Sequence, residues 1–184
     1  AIHNFKPMTP MRIYASEKYN LIILFSELVI PADAVYSLAN AVIDFSKKHN
    51  AKMIYSLAGI ASQTPDEKTY GIPSDDAVAQ QLRDKNVELI KEGATQGVSG
   101  VLIAECAVQK IPAANLMVQT AAPLDPKAAA RLLNKLAEVI GTAIDTSELV
   151  NDAAKMESKI KETMEKMKSL HKDYKGMEDN PMYA

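Results

Sequence analysis

The chain has 184 residues, of which 47% are hydrophobic and 24% are charged, and this composition is typical of a globular protein with one sizeable core. Its formal net charge is −2 and its apolar runs are short, so we expect neither a nucleic-acid partner nor a membrane partner. Cys106 is the single cysteine of the sequence and cannot form an internal disulfide, which favours a cytoplasmic location.

The first predicted elements are two strands, at Met11 to Tyr14 and at Asn20 to Phe25. The second run is continuously apolar, as is typical of a strand that lies at the centre of a parallel sheet and is buried on both faces. Residues 32–48 then carry apolar side chains mostly at steps of three and four, which predicts an amphipathic helix. A further buried strand is predicted at Lys52 to Ala58, and turn-forming residues predict a loop at Gly59 to Pro65.

Strands and helices continue to alternate as far as residue 144. Apolar periodicity and capping residues predict three more helices, with Asp125 as the cap of the last, and one more strand. The helices lie at about residues 75–84, 101–109 and 126–140, and the strand lies at 113–119. This order predicts one α/β domain over residues 1–144, with a mostly parallel sheet covered by helices on both faces.

The sequence changes character at about residue 145, where charged residues dominate and a narrow apolar seam follows heptad spacing. We expect a long coiled-coil-like helix over residues 145–175, which pairs with a second copy to form a homo-oligomer or, alternatively, packs on its own domain. Residues 176–184 are expected to form a flexible tail. The predicted oligomerisation residues are those of the seam: Leu149, Met156, Ile160, Met164, Met167 and Leu170.

A search of the sequence for catalytic motifs finds neither a Gly-x-Gly-x-x-Gly pattern nor a Walker phosphate loop. The glycines of residues 93–100 precede a predicted helix, and tight packing explains them better than an anion site. No base or basic neighbour of Cys106 is evident, so we expect a structural thiol. Glu92 and Glu105 are the best candidates if the chain is an enzyme, but we predict no enzymatic activity, no cofactor and no metal site.

A candidate partner-binding site lies in the last three residues, Met182, Tyr183 and Ala184, which could act as a binding peptide. The apolar side chain can fill a groove, the phenol adds contact area with a polar tip, and a terminal carboxylate can pair with a basic side chain. The pattern is weak by itself, because only the tyrosine is a fixed position and a disordered chain end is equally compatible with it.

Five short stretches between Leu21 and Ile144 carry a family resemblance: IYSLAGIA at 54–61, YGIPSD at 70–75, EGATQGVSGVL at 92–102, IPAA at 111–114 and DPKAAAR at 125–131. In order and spacing they resemble the proteasome assembly chaperone 2 family, especially its archaeal members. The resemblance implies an α/β fold similar to that of the nucleoside phosphorylases. Family members typically open with an extra strand and a Gly-rich turn before the position of Met11, so we expect either a truncated chain or a departure from the family pattern.

The resemblance also implies a function. Archaeal chaperones of this type carry a C-terminal hydrophobic-Tyr-any-residue (HbYX) signature, which inserts between α-subunits of the proteasome core, and Met182, Tyr183 and Ala184 match it. The predicted function is therefore that of a proteasome assembly chaperone or a core-binding adaptor. Homologues are also labelled as ATP-grasp or carboxylate-amine ligases, so the alternative prediction is such an enzyme, with a pocket near Gly93 to Glu105.

Overall fold

The computed structural model describes residues 2–3, 5–122, 124–155 and 158, and four short strands precede the first helix. The strands are β1 (Ile2–His3), β2 (Lys6–Pro7), β3 (Met11–Ser16), β4 (Leu21–Ser26), β5 (Ile54–Ala61), β6 (Thr69–Pro73), β7 (Glu88–Leu89) and β8 (Ala113–Thr120). The helices are α1 (Val35–Lys48), which follows a 3-10 turn at Ala32–Ala34, α2 (Asp76–Asp84), α3 (Gly97–Val108) and α4 (Pro126–Ile140). Residues 147–155 are also helical.

The main sheet has four strands in the order β5-β8-β6-β7. The pairs β5–β8 and β6–β7 are parallel, whereas β6 runs antiparallel to β8. The predicted α/β class is confirmed, but the mostly parallel sheet is corrected to a mixed one. The physical reason is the connection at residues 62–68, which contains no helix, since a strand that returns parallel needs a crossover of about a dozen residues or more.

Two apolar clusters cover the two faces of this sheet. Residues along a strand point alternately to opposite faces, and β8 supplies both clusters in this way. Leu116 and Val118 join the cluster formed with α2 and α4, while Ala113 joins the cluster formed with α1 and α3. All residues from Ala113 to Val118 are buried, so β8 is the centre of the core and helices lie on both faces of it.

Side-chain caps fix the starts of two helices where the sequence predicts them. The carboxylate Oδ1 of Asp75 accepts a hydrogen bond from the backbone N–H of Val78 at 2.9 Å, at the start of α2. Asp125 Oδ1 accepts from the backbone N–H of Ala128 at 2.9 Å, at the start of α4. Gly141, with a φ of 71°, adopts the left-handed conformation that ends α4.

The strands β3 and β4 form a separate antiparallel hairpin, which we call the apolar ribbon (residues 11–26). The prediction of two strands is right, but their placement at the buried centre of a parallel sheet is wrong. The turn at Glu17 to Asn20 is closed by a backbone hydrogen bond of 3.2 Å between those two residues, and Asn20 has a φ of 50°. Such a short turn joins only antiparallel neighbours, because parallel strands need a crossover.

Candidate functional site

The predicted docking peptide, Met182 to Ala184, lies outside the described residues. So does most of the predicted oligomerisation seam, namely Met156, Ile160, Met164, Met167 and Leu170. Both assignments therefore stay predictions.

The beginning of the seam is described, and it packs on its own domain. Leu149 is half-buried and Ala153 is 3% exposed within a single chain. The segment before them is tied to α4 by a hydrogen bond of 3.2 Å from Thr146 Oγ1 to Asn134 Oδ1. Whether the rest of the seam pairs with a second copy or packs on its own domain stays a prediction, because it lies outside the described residues.

A cleft of about 320 Å³ lies beyond the carboxyl ends of β5 and β8, and Ala153 forms part of its wall. The loop after β5 supplies Asp66 and Glu67, the end of β8 supplies Gln119, and the start of α4 supplies Asp125. The crevice outside the carboxyl ends of sheet strands is the usual ligand-binding place in open α/β folds, which makes this cleft the first place to search for chemistry.

Arg131 on α4 connects two parts of the cleft wall through hydrogen bonds, an arrangement that we call the Arg131 clamp. Its Nη1 donates to Glu67 Oε2 at 3.1 Å, and its Nη2 donates to the backbone carbonyl of Gln119 at 3.0 Å and to that of Asp66 at 3.4 Å. The guanidinium thus ties the loop after β5 to the end of β8. Its buried Nε has no hydrogen-bond partner in the described residues.

Tyr70 forms a hydrogen-bonded group with Asp66 and Gln119, two residues that line the cleft. The Tyr70 hydroxyl donates to Asp66 Oδ2 at 2.5 Å and accepts from Gln119 Nε2 at 3.3 Å. The hydrogen bond to Asp66, together with burial, raises the pKa of the Tyr70 phenol, so it stays protonated at neutral pH. These groups satisfy one another and position the loop, and this is not the arrangement of a general base beside a nucleophile.

The residues singled out for chemistry in the sequence do not meet at this cleft. Glu92 and Gly93 are exposed, while Glu105 lies on α3, where its Oε2 accepts from Gln109 Nε2 at 3.4 Å. Cys106 is completely buried, and burial raises the pKa of its thiol, as expected for a structural cysteine. Within the described ranges, no group of three or more His, Cys, Asp and Glu side chains could hold a metal ion.

Sequence reasoning missed the network around Arg131. Asp66 and Arg131 are separated by 65 positions, and no local spacing pattern links them. Only the pairing of β5 with β8 brings them together, so a single sequence contains no signal for this contact.

None of the helices in the described part of the chain is long and apolar enough to cross a membrane.

The family model described as PAC2 matches residues 2–164, and the chain belongs to the PAC2 family. It is 30% identical over 179 residues to an uncharacterized protein of Methanocaldococcus jannaschii, and the match covers 96% of this chain and 72% of that protein. The family assignment made from the five sequence stretches is confirmed at this level.

Two proteins of Pyrococcus furiosus share the fold. PbaA, described as an archaeal homolog of proteasome-assembly chaperone, matches in one crystal form with a TM-score of 0.76 and 26% identity, covering 93% of this chain and 76% of PbaA. Its monoclinic form gives a TM-score of 0.86 at 24% identity, covering 100% of this chain and 77% of PbaA. PbaB, described as an archaeal proteasome activator, matches with a TM-score of 0.71 at 18% identity, covering 84% of this chain and 70% of PbaB. The likeness to nucleoside phosphorylases stays a prediction.

Proposed function

We propose that the chain is a non-enzymatic chaperone or adaptor of the proteasome, which docks its last three residues into pockets between α-subunits of the core. The observation that carries the proposal is the likeness to PbaA, at 26% identity over 93% of this chain, within a shared family. The fold shared with PbaB, an activator, is the reason for naming an adaptor role beside an assembly role.

The docking chemistry comes from the side chains of Met182 and Tyr183 and from a terminal carboxylate on Ala184. An apolar group fills a slot between two subunits, the phenol adds area and a hydrogen bond, and the carboxylate pairs with a basic group. One such peptide binds weakly, but several identical chains acting together bind a ring of identical pockets with high avidity. The predicted helix of residues 145–175 carries each tail away from its α/β domain, and a core-particle partner implies a cytoplasmic location.

Capture of an archaeal proteasome core by immobilised chain tests the proposal. Met182→Ala and Tyr183→Ala should each weaken capture by roughly tenfold or more, which corresponds to about 1.4 kcal/mol. Met177→Ala is the matched control, because it removes the same side chain five positions before Met182 and outside the docking peptide. Undiminished capture by Tyr183→Ala, or an equal loss in Met177→Ala, would contradict docking by these residues.

The ligase alternative gains no support from the described part of the chain. The cleft beyond β5 and β8 is lined by neither Glu92 nor Glu105, and Arg131 in its wall is paired with Glu67. The function that the observations support best is therefore a binding function.

A further inference from the structure

The apolar ribbon exposes large hydrophobic side chains on both of its faces. Residues directly opposite each other in an antiparallel pair share a face, so the register assigns every side chain. One face carries Met11, Ile13, Ala15, Ile22, Leu24 and Ser26. The other face carries Arg12, Tyr14, Ser16, Leu21, Ile23 and Phe25. Ile13 on the first face is 53% exposed, and Ile23 on the second is 52% exposed, so the described residues cover neither face.

The strands of the ribbon have the composition of buried strands, but the structure leaves them exposed. Strands that are apolar on both faces are typical of positions buried on both sides, but this hairpin packs mainly on itself. It forms a sheet of its own, so in the described residues the outer edges of β3 and β4 pair with no further strand. An isolated two-stranded hairpin is only marginally stable in water, and open edges favour pairing with another chain.

The exposed area matches one side of a protein interface. Ten large hydrophobic residues between positions 11 and 29 are each at least 41% exposed. At about 80 Å² of exposed surface per residue, they present on the order of 800 Å² in total, which is what one partner contributes to a standard interface and is here divided between the two faces and the flanking residues.

The charge of the ribbon restricts the chemistry of its partner. Arg12 is the one charged residue on the two strands, and it is paired with Glu27. Its guanidinium carbon also lies 5.3 Å from the centre of the Phe25 ring. With this charge compensated, the faces of the two strands offer a charged partner nothing to attract it, and they suit an uncharged apolar surface of similar size.

We propose that the apolar ribbon is the homo-oligomer interface of this protein and that second copies of the chain cover its two faces. An identical chain supplies an uncharged apolar surface of equal area, and repeated contacts between identical chains close into a symmetric assembly. This proposal places an interface on residues 11–26, in addition to the predicted helical seam, most of which lies outside the described residues. This inference deepens the proposed function. It rests on that function in one respect only, which is that docking by several tails requires an assembly of several chains.

The mass of the protein in solution tests the proposal, with one charged double variant for each face. Ile13→Lys with Leu24→Lys changes a directly opposed pair on the first face, and Tyr14→Lys with Ile23→Lys changes a pair on the second. The matched control is Tyr36→Lys with Val108→Lys, because these residues are 61% and 80% exposed and lie outside the ribbon.

By analytical ultracentrifugation, wild type and control should sediment as a multiple of 20.1 kDa, while the ribbon variants should shift toward the mass of one chain. Circular dichroism establishes that the variants are folded. Amide exchange of the wild type provides a test that needs no variant: exchange in residues 11–26 should slow as protein concentration rises, while exchange in β8 should not change.

A wild type that sediments as one chain at every concentration would overturn the proposal, and so would a wild-type mass in both ribbon variants. A monomer whose ribbon becomes dye-accessible only after removal of residues 159–184 would show that the chain covers its own ribbon, which also overturns it. Tyr183→Ala should weaken proteasome capture without changing the mass, so a failure of tail docking is distinguishable from a failure of the ribbon interface.

Discussion

Gly100 on α3 packs directly against Thr95 in the preceding loop: a Cβ on Gly100 would lie 2.8 Å from the Thr95 Cβ and 3.0 Å from its carbonyl carbon. Real Cβ atoms essentially never approach other atoms at the first of these distances. The loop therefore reaches the helix only because position 100 has no side chain. This contact agrees with the packing interpretation for Gly100, whereas a Cβ on Gly97 would meet nothing within 4 Å.

Gly100→Ala should destabilise the fold by about 1–3 kcal/mol, because the added methyl group forces the loop and α3 apart. Gly93→Ala is the matched control, since its Cβ would meet its nearest neighbour, Ile90 Cγ2, at an ordinary 3.6 Å. Urea denaturation followed by circular dichroism measures both changes in the free energy of unfolding. Equal midpoints for the two variants would show that Thr95 does not confine position 100.

Leu116→Ala should cost about 2–5 kcal/mol of unfolding free energy, because Leu116 is fully buried at the centre of β8 and its loss leaves a cavity. Leu124→Ala removes the same atoms from a side chain that is 68% exposed and should change the unfolding free energy by about 0.5 kcal/mol or less. Thermal or urea unfolding distinguishes the two. A loss at Leu116 as small as that at Leu124 would mean that β8 is not the core strand.

The features predictable from the sequence are those set by near neighbours along the chain. The cap at Asp125 follows from a carboxylate three residues before the amide that donates to it. For α2 the sequence allows Ser74 or Asp75 as the cap, and in the structure it is Asp75. The central strand β8 follows from its apolar run between turn signals. The family assignment also rested on short local stretches, and it is confirmed over residues 2–164.

The features that were not predictable depend on partners distant in sequence. The apolar run of β4 shows that both faces of the strand avoid water, but it does not say which chain covers them. The direction of β6 depends on the helix-free connection at residues 62–68, which only partly overlaps the loop predicted at Gly59 to Pro65 because β5 extends to Ala61. The clamp at Arg131 depends on the β5–β8 pairing, which joins positions about 60 residues apart.

Asp75 should make the stability of the protein sensitive to acid. The hydrogen bond from the Val78 backbone N–H holds the pKa of the Asp75 carboxyl below its usual value of 3.8. The unfolded chain therefore binds this proton before the folded chain does, and the contribution to stability, complete above the unfolded pKa, is lost as pH falls through the folded pKa. Wild type should lose stability between about pH 5 and about pH 2.

Two substitutions separate the charge of Asp75 from its capping role. Asp75→Asn keeps a good cap but cannot titrate, so it should lose less stability than wild type on acidification. Asp75→Ala removes the cap and should be less stable by about 1 kcal/mol at neutral pH as well. Urea midpoints measured across the pH series provide the comparison, and an Asp75→Asn curve parallel to wild type would disprove the linkage.

Cys106 should be unreactive in the native protein. The side chain is completely buried in the cluster between α1, α3 and the sheet, and burial, followed by the nearby charge of Glu105, raises the pKa of the thiol. The thiolate is the reactive form, so modification requires both deprotonation and opening of the core. With an opening free energy of about 4 kcal/mol or more, an aromatic disulfide reagent should react roughly 1000-fold more slowly than with the unfolded chain.

An exposed cysteine calibrates this measurement. Ser37→Cys in a Cys106→Ala background places the thiol on the exposed side of α1 and should react at the rate of the unfolded chain. Adding urea should bring the wild-type rate up to that of the control, with a midpoint that matches unfolding, because exposure of Cys106 then limits the reaction. Rapid native labelling of Cys106 would identify it as an accessible thiol and would contradict both its burial and its structural role.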